Sequence, residues 1–181
     1  MTARKNASSP RRAKDAIALL MEDHKKVQKL FNEFEKLGEE DTDRKSEIVS
    51  QACAELTVHS TIEEEIFYPA MREALEEQDV LDEAEVEHST AKELISQLQS
   101  MKAGDDLFDA KFTVLGEYVN HHIKEEQQQI FPKAKKTQID MKALGEELLN
   151  RKRECQREMG ITGEDHAEER QEETEEEREQ R

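Results

Sequence analysis

The chain has 181 residues, of which 39% are charged and 34% hydrophobic, with a formal net charge of −17 at pH 7. A protein that tracks phosphate backbones needs a basic surface, so this balance argues against nucleic acid as a partner. Ile17 to Met21 is too short, and too closely flanked by Asp15, Glu22 and Asp23, to be a leader or a membrane span. Cys53 and Cys155 lie far apart without CxxC spacing, which disfavours disulfide staples and zinc knuckles and fits a reducing cytoplasm.

Residues 1–14 contain five basic side chains (Arg4, Lys5, Arg11, Arg12, Lys14) and no acidic one, and read as a disordered basic arm. The few prolines and glycines, the abundance of Ala, Glu, Lys, Leu and Gln, and the lack of sustained β-branched alternation predict an all-α fold. Turn chemistry at Gly38 to Asp43, at Pro69 with Gln78-Asp79, at Gly104-Asp105-Asp106 and at Pro132 to Asp140 places helices near 15–37, 44–75, 80–102 and 106–135. The first shows Ile17, Leu20, His24, Val27, Phe31 and Phe34 on one face, and the second Ile48, Ala52, Leu56, His59, Glu63 and Ile66. The third runs Leu81, Ala84, His88, Ala91, Ile95, Leu98, and the fourth Phe108, Phe112, Leu115, Val119, His122, Glu126, Ile130. An amphipathic segment from Met141 to about Met159 predicts a short fifth helix, after which Gly160 and Gly163 close the ordered part. The expected organisation is an antiparallel up-down-up-down four-helix bundle over 15–160, followed by a disordered acidic tail at 161–181.

An internal repeat sharpens this picture. His59-Ser-Thr-Ile-Glu63 precedes Ile66-Phe67-Tyr68-Pro69-Ala70, and His122-Ile-Lys-Glu-Glu126 precedes Ile130-Phe131-Pro132-Lys133-Ala134; in both, histidine stands ten positions before proline. The first and third helices each carry one histidine, in Glu22-Asp23-His24 and Val86-Glu87-His88. Two helix pairs in tandem account for the pattern.

Four histidines and two glutamates therefore occupy apolar stripes. If neighbouring helices run antiparallel, His24 and His59 differ in height by only ~4–5 Å at ~1.5 Å per residue, so the four rings can meet in one layer. His59 and Glu63, like His122 and Glu126, are one turn apart and can present nitrogen and oxygen to one site. Two buried carboxylates with no lysine or arginine in the stripes would cost several kcal/mol each, and bound cations supply the compensation. His24, His59, Glu63, His88, His122 and Glu126 are the expected metal ligands. Imidazole and carboxylate without thiolate suit iron or manganese, and six donors are too many for one tetrahedral zinc. His121 falls off the stripe, His166 lies in the acidic tail, and Glu64, Glu65 and Glu125 are expected on exposed faces; Tyr68 could pack or serve as a redox-active phenol. Glu85-x-x-His88 is a single Glu-x-x-His match, where ferritin-like bundles use two.

Over roughly residues 15–158 these motifs resemble the hemerythrin-like, or HHE cation-binding, domains, most specifically at 59–69 and 122–132, with Leu144-Gly145…Arg151-Lys152 downstream. The resemblance implies two non-haem iron ions bridged by the two carboxylates and an oxo or hydroxo group. The sequence departs from the oxygen-carrying hemerythrins in having Lys92 one turn after His88, where they have a fifth histidine, and Glu126 where they have an aspartate. The four-His, two-Glu set looks instead like bacterial relatives linked to oxidative or nitrosative stress and to iron–sulfur cluster repair. The resemblance implies a protein that binds or senses oxygen, nitric oxide or peroxide. Alternatives are an enzyme that decomposes peroxide or reduces nitric oxide, and an iron store or donor for cluster repair. Val27, Leu56, Ala91 and Val119, with Phe31 one turn beyond, are expected to form an apolar pocket admitting the small molecule.

Overall fold

The computed structural model describes residues 14–161. The basic arm, apart from Lys14, and the acidic tail, apart from Ile161, lie outside the described residues. Helix α1 (Ala16–Phe34) starts at Asp15, whose side chain accepts the N–H of Ala18 at 2.8 Å and satisfies one of the donors that a helix start leaves open. A second rod joins α2 (Thr42–Ile62), a π-helical turn π1 (Glu63–Phe67) and α3 (Tyr68–Ala74). Helix α4 (Asp79–Gln99) is the third. The turn that follows uses Gly104 at φ 96° and Leu107 at φ 69°. A fourth rod joins α5 (Phe108–Glu125), π2 (Glu126–Ile130) and α6 (Phe131–Ala134), and α7 (Met141–Glu158) starts at Asp140, which accepts N–H bonds from Lys142 and Ala143. Among the described residues there is no strand, and no helix is long and apolar enough to cross a membrane.

Packing closes the four rods into a bundle: α1 lies on α2 and α5, and α4 on α5 and α2. Helix α7 covers α1, α2 and π1 from outside the bundle. Its close approach depends on Gly145, because a Cβ there would sit 2.3 Å from the carbonyl oxygen of Lys14. The apolar core is split in two. One half gathers Val27, Phe31, Leu56, Ile95, Phe112 and Val119, the other Leu20, Phe67, Tyr68, Met71, Ile130 and Leu148. The stripe histidines separate them along every rod: Leu20 precedes and Val27 follows His24, and Val119 precedes and Ile130 follows His122.

The two π turns explain the repeated proline motif. Proline has no N–H to give, and its ring crowds the carbonyl four residues back, so Pro69 and Pro132 cannot join a regular α ladder. In the wider turn the preceding N–H bonds five residues back instead: Tyr68 to Glu63, and Phe131 to Glu126. Each turn holds an extra residue, which shifts the stripe beyond it. Ile66, expected inside by continuing the α-helical period, is half-buried, while Phe67 and Tyr68 are 0% and 1% exposed.

Candidate metal centre

All six stripe residues converge between the two halves of the core, with His24, Glu63 and Glu126 fully buried and the other three histidines no more than 7% exposed. Their Nε2 atoms form two pairs, His24–His59 at 3.1 Å and His88–His122 at 3.0 Å. Each carboxylate reaches one histidine of each pair. Glu63 lies 3.3 Å from the Nε2 of His59 and 3.3 Å from that of His88. Glu126 lies 3.0 Å from that of His24 and 3.6 Å from that of His122. Two donor groups result, His24, His59, Glu63 and Glu126 on one side and Glu63, His88 and His122 on the other.

An outer layer of carboxylates orients the rings. The Nδ1 of His88 is 3.0 Å from Glu64, that of His122 is 2.7 Å from Glu87, and that of His59 is 3.5 Å from Asp23. So held, the Nδ1 protons of His88 and His122 point outward and their Nε2 lone pairs face the centre, while His59 and Asp23 face each other without a hydrogen bond. Lysines stand behind two of these acids: Lys92 pairs with Glu64 at 2.5 Å, and Lys152 of α7 pairs with the buried Asp23. The His88 hydrogen bond, with Lys92 behind it, holds Glu64 down to about 2. Glu64 thus serves the site, contrary to its expected place on an exposed face. Asp23 and Glu87 were not singled out either. The available signal was that each directly precedes a stripe histidine, yet each supports the histidine of the neighbouring helix.

The halves are not equivalent. In the repeat, Tyr68 corresponds to Phe131. The Tyr68 hydroxyl donates to Glu126 Oε1 at 3.1 Å and lies 3.3 and 3.4 Å from the Nε2 atoms of His88 and His122. Phe131 instead stacks on His24 with ring centroids 5.8 Å apart. One pair of imidazoles is therefore flanked by a phenol and the other by a bare ring.

The donor set fits a pair of cations. Both oxygens of Glu63, one of Glu126 and the Nδ1 of His24 are buried without a hydrogen-bond partner. Lys92 and Lys152 neutralise the outer acids and leave Glu63 uncompensated, whereas Glu126 has Tyr68 and His24 beside it; the cost of burying the Glu63 charge, several kcal/mol, is one that cations would remove. Burial, then repulsion from Glu126, lifts the Glu63 carboxyl well above its usual range, which disfavours its charged form in the metal-free centre. Burial also pulls His59 down to about 4, against the opposing pull of Asp23, and keeps that ring neutral at pH 7. A cation needs Glu63 in its charged form. Affinity should then rise with pH, and uptake should release protons, read with an indicator dye in weak buffer. Binding without proton release would contradict this. By the same linkage, the metal-free fold loses stability as pH rises through the folded Glu63 value.

Beside the rings lies a cavity of about 30 Å³ walled by the four histidines and by Val27, Leu56, Ala91 and Val119. A water needs roughly 10–15 Å³ by this kind of measure, so there is room for a diatomic molecule or peroxide. Phe31, expected one turn beyond, does not line it. Its ring packs on Phe112 at 5.0 Å and against the bare backbone of Gly116, where a Cβ would meet it at 3.0 Å. His121, set aside by its phase, is exposed as expected.

A family profile described as the hemerythrin HHE cation binding domain matches residues 15–134. An uncharacterized hemerythrin-like protein of Schizosaccharomyces pombe is 32% identical over 123 residues, 67% of this chain and 58% of that protein. A DNA nickase of Nostoc sp. is 30% identical over 109 residues, 60% of this chain and 30% of the nickase. The chain thus spans less than two thirds of the length of either relative. The crystal structure of a hemerythrin HHE cation binding domain-containing protein from Mycobacterium kansasii matches with a TM-score of 0.66 at 20% identity, over 78% of this chain and 87% of that one, a likeness of fold.

Proposed function

Since the chain belongs to the hemerythrin HHE cation-binding family, we propose that it holds two non-haem iron ions on His24, His59, Glu63, His88, His122 and Glu126 and binds or senses oxygen, nitric oxide or peroxide beside them. The observation that carries this reading is the reach of each carboxylate to a histidine of both pairs, the arrangement that two neighbouring ions would share. Six imidazole and carboxylate donors without thiolate favour iron over zinc. Bound iron supplies redox capacity and an exchangeable coordination position. The chain's own residues provide the rest: Asp23, Glu64 and Glu87 aim the imidazoles, and Val27, Leu56, Ala91 and Val119 keep bulk water from the rings while admitting a small molecule. The net charge of −17 sets the chain against DNA as a partner, whatever the nickase acts on.

A second reading, peroxide decomposition to water and oxygen, is favoured by Tyr68. That reaction moves protons between oxygens, and the Tyr68 O–H, held on Glu126 and beside His88 and His122, places a hydroxyl within reach of the centre. Ready iron release is disfavoured by the burial of all six donors.

Anaerobic loading with ferrous iron, metal analysis, and absorbance before and after air or peroxide test the reading. Two irons per chain, within error, and a near-ultraviolet charge-transfer band after oxidation are expected. Stoichiometric binding of one zinc and no iron would overturn it, and sustained oxygen evolution from peroxide would select the enzyme. Ala91→Phe should keep the iron and slow azide binding, because the larger ring fills the cavity.

A further inference from the structure

Three donors outside the buried six meet on the flank formed by α4 and α5. The Nε2 of His121 is 3.7 Å from Glu87 Oε1 and 3.5 Å from Glu125 Oε1, and one donor atom from each of the three lies within 4.8 Å of the others. The cluster grades from solvent inward, since the side chains of His121, Glu125 and Glu87 are 63%, 31% and 17% exposed. Glu87 faces two ways. One oxygen turns to His121, while the other holds the Nδ1 of His122 at 2.7 Å.

A gap of about 10 Å³ lies on the same flank, lined by Glu83, Glu87, His122, Glu125, Glu126 and Gln129, with room for roughly one water. Its inner wall is Glu126, which is fully buried and whose Oε2 lacks a hydrogen-bond partner. Surface acids alone are ordinary solvated groups. Here an imidazole stands between two carboxylates, and the gap below them ends on a buried carboxylate with one oxygen left without a hydrogen bond.

We propose that Glu87, His121 and Glu125 form an outer docking site for a divalent transition cation, which then passes through this gap to Glu126 and His122. The inference rests on the two-iron reading above. Mixed imidazole and carboxylate donors match ferrous iron, and their exposure makes the outer site weaker than the buried one, as a transfer site must be. The cavity walled by Val27, Leu56, Ala91 and Val119 also meets Glu87, but Lys92 stands on its lining and Glu125 and Glu126 do not, so the gap offers a cation more carboxylates.

Anaerobic stopped-flow uptake of ferrous iron by the metal-free full chain, in competition with a weak chromophoric chelator, tests this, with metal analysis at equilibrium. Glu125→Gln should slow uptake about tenfold, within the range by which charged clefts raise local ion concentration, His121→Ala should slow it through the lost donor, and both should leave the final iron content unchanged. Glu93→Gln, which removes an exposed charge further along α4, should load at the wild-type rate. Because His121→Ala removes no negative charge, its slowing would mark a ligand and not general attraction. Wild-type rates in both cluster variants would overturn the proposal, as would equal slowing in Glu93→Gln. Failure of the wild type to take up two irons would overturn the underlying two-iron reading instead.

Discussion

His122→Ala is expected to bind less than one iron per chain where the wild type binds about two. The Nε2 of His122 lies 3.0 Å from that of His88 and 3.6 Å from Glu126, so its loss leaves His88 as the one imidazole in that half of the centre. The damage spreads outward, because Glu87 loses the Nδ1 proton it accepts at 2.7 Å and is left half-buried. His121→Ala should end with the wild-type iron content, whatever its loading rate. Metal analysis after gel filtration measures both, and circular dichroism distinguishes a lost ligand from a lost fold. Equal iron losses in two folded variants would show that helical phase does not separate ligand from neighbour at these two positions.

Gly145→Ala should cost roughly 2–3 kcal/mol, although it adds a single methyl group. The new Cβ would meet Lys14 O at 2.3 Å, Ala16 N at 2.8 Å and Asp15 C at 2.9 Å, all main-chain atoms at the start of α1 that cannot swing aside. Helix α7 would have to lift, and with it Lys152, the partner of Asp23, which in turn faces His59. Thermal unfolding should fall by about 5–10 °C at 2–4 °C per kcal/mol for a domain of this size. An unchanged midpoint would mean that α7 sits further from α1 than described. The effect is of interest because α7 lies beyond residues 15–134, the part shared with the family, yet it supplies a residue of the site's outer layer.

The helices and the six converging residues were legible because both follow from one period: apolar residues spaced by three and four carry His24, His59, Glu63, His88, His122 and Glu126 to a common face. The period misled where the helix changed type. Continuing it past Glu63 puts Ile66 inside, whereas the π turn advances the buried face to Phe67 and Tyr68, and so delivers the phenol to Glu126. Asp23, Glu64 and Glu87 escaped for another reason. Each sits beside a stripe residue on its own helix, but its task is set by a histidine on a different one, and a pattern within one helix carries no such information. Phe31 shares the face of His24 and Val27 as the period requires, but one turn beyond them its ring packs on the bare backbone of Gly116 and on Phe112.

The two π turns also bear on symmetry. Each holds one residue more than an α-helical turn, and each begins at the glutamate of its half of the chain. The two helix pairs thus match down to the surplus residue, and each brings one histidine on either helix and a single glutamate, half of the six-donor set. Neither pair completes the set without the other, so the bundle is pseudo-twofold, and Tyr68 and Phe131 mark where its halves part company.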